Sequence, residues 1–203
     1  EAPATEAPAT EAPATEAPAS DAAMTITYDI ADEAVWDDGT PITVADFQCT
    51  WNAVMNTPGS ISTSGYDKIT SVEAGDSDKQ VVVQMSEVYA PWKGLFGGLI
   101  KHDAVADCND VSGDFQTSMD YSGTEWKMDS WSTDGVTYVP NEKYWGPRKV
   151  QGLSQLVMVP KPDTEIAALK AGEVDFIYPQ FYAGITDELA DPNVTTVINF
   201  GGD

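Results

Sequence analysis

Carboxylates are the most abundant reactive groups in this sequence, and two pairs sit close enough for joint acid–base work: Asp37/Asp38 and Glu173/Asp175. Glycoside hydrolysis needs two such groups, one to protonate the leaving oxygen and one to attack or to activate water. In a chain with 33 Asp and Glu among 203 residues, however, neighbouring carboxylates arise by chance. The single histidine, His102, would have to serve any Ser-His-Asp or Cys-His relay, and no Gly-x-Ser-x-Gly elbow accompanies it. Gly94-Leu-Phe-Gly97-Gly98 lacks the preceding strand and the lysine–serine ending of a phosphate loop. One histidine and two cysteines at no ligand spacing do not make a zinc site, and the Asp76/Asp78 turn lacks the spacing and terminal glutamate of an EF-hand. The expectation is a protein with no catalytic residues, no metal and no cofactor.

The two cysteines point elsewhere. Cys49 lies on the polar side of an amphipathic helix and Cys108 in the polar loop Ala-Asp-Cys-Asn-Asp, whereas inert buried cysteines usually occupy apolar faces. The expectation is a Cys49–Cys108 disulfide contributing ~4 kcal/mol, made in an oxidising compartment. A net charge of −23 repels nucleic acid and anionic membrane surfaces, so neither is an expected partner. No apolar run is long enough to span a bilayer. Six Trp and eight Tyr in a chain without a reactive centre suit a binding cleft for peptides or sugars.

Several elements must position these groups. Residues 1–21 begin with four near-identical pentapeptides, Glu-Ala-Pro-Ala-Thr or -Ser, and read as a semi-stiff spacer whose threonines are candidate O-glycan acceptors. From Met24 the sequence becomes that of a folded domain. Met24, Ile26, Tyr28 and Ile30 alternate as in a strand. Asp38-Gly39 makes a turn, and Thr43 caps a helix over 43–56 with Asp46 at the acidic place of a capping box. Val44, Phe47, Trp51, Val54 and Met55 form its apolar stripe.

Strands over 69–73 and 80–85 should pair as a hairpin, and a helix is expected over 90–100. A second hairpin joins 125–132 to 136–140 through Thr133-Asp134-Gly135, with glycine supplying a positive φ. A β-α-β unit follows: a strand over 156–159, a helix opened by Pro162-Asp163-Thr164 and closed by Gly172, and a strand over 174–178. A helix over 184–190 and a strand over 194–200 complete the reading.

Four landmarks in order carry a family resemblance. Trp36-Asp-Asp-Gly-Thr-Pro-Ile-Thr-Val-Ala-Asp-Phe47 with its Trp-bearing helix resembles the signature of the extracellular solute-binding proteins, family 5, of peptide and nickel ABC importers. Ser122-Gly-Thr-Glu-Trp-Lys-Met-Asp-Ser-Trp131 is similar to the family's Gly-Thr-Gly-Pro-aromatic-Lys strand entry, one residue shorter. Asn141-Glu-Lys-Tyr-Trp-Gly146 and Pro162 to Asp175 resemble its two following landmarks.

The resemblance implies a mixed α/β fragment of a two-lobed periplasmic-binding-protein type II fold. Residues 22–120 would form the accessory α+β domain and 121–203 part of the first lobe, truncated before the second. It implies capture of a small solute, a peptide above all, and delivery to an ABC permease, outside the cell or in the periplasm. An N-terminal lipid anchor outside this chain would tether it. Tyr121, Thr124 and Trp126 would be the ligand-facing residues, with Trp126 either stacking on the solute or packing under the lobe. Such a fragment should expose apolar surface and self-associate. A stalked adhesion or structural module is the alternative class.

Overall fold

The computed structural model describes residues 22–60, 62–160 and 164–198. The spacer of 1–21, the Pro162-Asp163 helix signal and the last residues of the 194–200 strand lie outside them. The chain divides into two compact units, one ending at Gln116 and the other starting at Thr117.

In the first unit, β1 (Met24–Asp29), β2 (Ile69–Ala74) and β3 (Gln80–Met85) form an antiparallel sheet in the order β1-β3-β2. The 69–85 hairpin forms as its turn chemistry predicts, and β1 adds to its other edge through a long-range pairing. The central strand alternates strictly: Val81, Val83 and Met85 are fully buried, with Gln80, Val82 and Gln84 less so. Each buried side chain contributes about 1.5–3 kcal/mol of transfer free energy. Helix α1 (Val44–Asn56) lies on this face and sends Phe47 into the core beside Ile26, Val72 and Phe96. Its stripe is shorter than expected, because Met55 at its end is exposed.

The helix expected over 90–100 is replaced by a single 3-10 turn at Trp92–Gly94. Leu95 and Phe96 leave helical geometry, and Phe96 takes a φ of 57°, a conformation that bulky side chains rarely adopt. Packing outweighs the local cost. The Phe96 ring lies 5.0 Å from Phe47, 5.3 Å from Tyr66 and 5.8 Å from Tyr28, and its amide donates to the Tyr66 hydroxyl at 2.7 Å.

The second unit carries an antiparallel meander of β4 (Trp126–Ser132), β5 (Gly135–Pro140) and β6 (Leu156–Met158). Gly135 is not at positive φ; it is needed because a Cβ there would stand 2.8 Å from the Met158 carbonyl oxygen of β6. Helix α2 (Glu165–Ala171) ends at Gly172 with φ 70°, as its sequence predicts. The expected β-α-β unit does not close. Val174–Tyr178 finds no strand partner among the described residues, although β6 ends its sheet and pairs on one side only, with β5; the segment runs irregularly with Phe176 and Tyr178 more than three-quarters exposed. Val194 to Ile198 likewise forms no strand, and α3 (Ile185–Glu188) is one turn long.

Candidate functional site

The loop Tyr121–Trp126 enters β4, and its hydroxyls fold it back on itself. Ser122 Oγ and Thr124 Oγ1 both donate to the Trp126 carbonyl, at 2.5 and 3.0 Å, and the Thr124 amide donates to Ser122 Oγ at 3.1 Å. Of the three residues expected to face a ligand, Thr124 is exposed, Trp126 is half-buried and Tyr121 is buried. The loop brings all three within six positions of one another, and they belong to the same unit.

Sequence reasoning missed the residue that fastens this loop. Asn141, only 5% exposed at the end of β5, donates from Nδ2 to the carbonyls of Thr124 at 2.9 Å and Ser122 at 3.5 Å. Its backbone amide donates to Glu125 O at 2.9 Å, and its Oδ1 accepts from the Lys143 amide at 2.9 Å. The signal was present: an asparagine directly after a strand, two residues before Lys143, is an Asx-turn pattern. Beside it lies a shallow hollow of about 190 Å³ lined by Glu125, Asn141, Glu142 and Tyr144, with the Lys149 ammonium 5.1 Å from the Tyr144 ring centre.

The first unit holds the disulfide. Cys49 and Cys108 are joined with their Cα atoms 4.9 Å apart. Cys49 does not face outward, however; it is 2% exposed, with Asp46, Thr50 and Ala53 buried on the same side of α1. Polar bonds hold the segment after Leu99 on that side. Ile100 N donates to Thr50 Oγ1 at 2.8 Å, and Val111 N to Thr57 Oγ1 at 3.2 Å. Asp46, with no exposed surface, accepts from Thr43 N at 2.9 Å and Trp36 Nε1 at 3.4 Å through Oδ2. Through Oδ1 it accepts from His102 N at 3.0 Å and meets His102 Nδ1 at 2.9 Å. The helix cap is thus also the anchor of a segment more than fifty residues away in sequence.

Asp38 forms an ion pair with Lys101 and accepts from Thr40 N and Oγ1 at 2.8 and 2.7 Å. The hydrogen bond from the Lys101 ammonium, helped by Thr40, holds its carboxyl well below the usual carboxylate range. Burial works against the Lys101 charge, but Asp38 and Asp103 outweigh it and raise its pKa. Glu173 and Asp175 stand exposed beyond α2.

With this geometry in place, a model of the family described as "Bacterial extracellular solute-binding proteins, family 5 Middle" matches residues 9–201. The chain belongs to this family of solute-binding proteins. Among relatives, it is 28% identical over 168 residues to the probable monoacyl phosphatidylinositol tetramannoside-binding protein LpqW of Mycobacterium tuberculosis, covering 75% of this chain and 26% of LpqW. It is 40% identical over 80 residues to the oligopeptide-binding protein OppA of Mycobacterium bovis, covering 38% of this chain and 14% of OppA. Its fold matches the solved periplasmic EDTA-binding protein EppA with a TM-score of 0.72 and 29% identity, over 82% of this chain and 33% of that one. The family-5 chain described here is therefore a mixed α/β part of a type II periplasmic-binding-protein fold, and it spans about a quarter of LpqW and a third of EppA. No helix among the described residues is long and apolar enough to cross a membrane.

Proposed function

We propose that this chain is part of the substrate-binding component of an ABC importer. Its first unit is the accessory domain and its second unit part of the first lobe. The protein captures oligopeptides or similar small solutes outside the cell or in the periplasm, held near the membrane by an N-terminal lipid anchor, and delivers them to a permease. It carries out no chemistry on the solute. Tyr121, Thr124 and Trp126 line the solute site, Tyr121 as its floor and Thr124 with Trp126 as its accessible surface.

The observation that carries this reading is the family match across residues 9–201. The solute class rests on the oligopeptide-binding relative, which is 40% identical over 80 residues. The absence of chemistry is supported by the family, whose members bind solutes.

The test is a fluorescence titration of the whole 203-residue chain with tetra-alanine. One lobe's share of a site should bind weakly, with a Kd on the order of 1 mM or about −4 kcal/mol. Thr124→Ala and Trp126→Ala should each weaken it. A response that neither substitution alters would remove these residues from the site, and hydrolysis of the peptide would overturn the non-catalytic reading.

A further inference from the structure

Three carbonyls of the Ser122–Glu125 loop, those of Ser122, Thr124 and Glu125, accept from one residue, Asn141, which the family resemblance did not mark as ligand-facing. We propose that Asn141 is the positioning residue of the solute site: it sets the loop conformation and thereby the direction in which Thr124 and Trp126 meet a solute. This rests on the reading that Thr124 and Trp126 line that site.

The amide cannot be turned around without loss. Its Oδ1 accepts from the Lys143 amide, so Nδ2 must face the loop, and both Nδ2 hydrogens are used there. From the other side, Ser122 Oγ and Thr124 Oγ1 donate to the Trp126 carbonyl. Thr124 Oγ1 also stands 3.1 Å from Ser122 Oγ, and as the hydroxyl of an exposed residue it can accept from a solute that offers N–H groups, as a peptide does. Asn141 is 5% exposed, so a group that fails to match these carbonyls cannot be rescued freely by water. A site whose polar groups are fixed before binding avoids the ordering cost that a loose loop incurs when it closes on a ligand.

Asn141→Asp separates positioning from general support. It keeps the acceptor for Lys143 N and so the corner after β5, but places a second oxygen against the Thr124 and Ser122 carbonyls, repelling the loop. Asn141→Ala removes both contacts. Wild type, Asn141→Asp, Asn141→Ala and Thr124→Ala are titrated with tetra-alanine, using backbone amide NMR shifts, with hydrogen exchange recorded at 122–126 and across β4–β5. The expected result for Asn141→Asp is at least a tenfold loss of affinity, equal to about 1.4 kcal/mol. Exchange should accelerate at 122–125 while β4–β5 stays protected.

Wild-type affinity in Asn141→Asp would overturn the proposal, as would a loss that only follows melting of β4–β5. If Thr124→Ala loses binding and Asn141→Asp does not, the positioning role alone fails. If wild type does not bind, or Thr124→Ala binds equally well, the reading of the site itself fails and the proposal with it.

Discussion

Replacing Asp46 with alanine separates two accounts of the same residue by magnitude. If Asp46 were only the acidic half of a capping box, its loss would cost about 1 kcal/mol, the usual value for a cap. The structure gives it more to do. Three N–H donors and the His102 Nδ1 atom converge on a carboxylate with no exposed surface, and only Thr43 N belongs to the cap. Removing the carboxylate takes one acceptor from the indole N–H of Trp36, itself 4% exposed, and one from the His102 amide. Each lost bond to the buried carboxylate costs about 1–3 kcal/mol. Together with the cap, the loss should reach about 3–5 kcal/mol, the range for breaking a buried charged network. For a unit of this size each kcal/mol lowers Tm by about 4–8 °C, so the first unit should melt more than about 12 °C lower. The assay is urea unfolding at pH 7 followed by far-UV circular dichroism, with hydrogen exchange to assign the transition to the first unit. A loss near 1 kcal/mol, with His102 amide exchange unchanged, would refute the anchoring role.

Removing the disulfide as Cys49→Ala with Cys108→Ala should cost about 4 kcal/mol in the chain-entropy model for the observed separation of 59 residues; an unchanged urea midpoint would contradict it. Asp38 has a folded pKa below its ordinary 3.8, so its stabilisation is present above that value and disappears as pH falls toward the folded value. Because the Asp38 side chain is half exposed, Asp38→Asn should cost no more than about 1 kcal/mol at pH 7, a difference that shrinks in urea titrations below pH 3. At Phe96, held at positive φ, Phe96→Ala should lose about 3–5 kcal/mol, and Phe96→Gly should be more stable than Phe96→Ala by about 1 kcal/mol, reversing the usual order of these residues. The exposed Phe176, Tyr178, Phe181 and Val197 should drive concentration-dependent association in sedimentation, relieved by Phe176→Ser with Phe181→Ser.

What was legible in the sequence was local. Asp38-Gly39, the Thr43/Asp46 cap, the turn between β2 and β3, and Gly172 each encode their geometry within a few residues, and the structure places each where the pattern predicts. The apolar period of α1 correctly aimed Phe47 at the sheet. What failed depended on distant partners. Trp92, Leu95, Phe96 and Leu99 have helical spacing, but an aromatic cluster drawn from three other segments bends Phe96 out of a helix already weakened by Gly97-Gly98. Cys49 reads as outward because its helix face is polar; the cover is a segment that bonds to Asp46 and Thr50 rather than packing as apolar side chains. Val174–Tyr178 has strand composition but pairs with no strand among the described residues, even though β6 leaves one edge open; composition alone does not supply the partner. At the candidate site, the loop itself was visible as a family landmark. Asn141 was visible too, as the first residue of another landmark, but its hold on the loop was not, because that lies in carbonyls 16 to 19 positions earlier in the chain.

The central claim, that the second unit carries the solute surface, is tested most directly by mapping. Backbone amide shifts of the labelled 203-residue chain are followed as tetra-alanine is added. The account predicts saturable shifts concentrated at Tyr121 to Trp126, with α1 and the β1-β3-β2 sheet unmoved. Shifts confined to the first unit, or none at millimolar peptide, would contradict it.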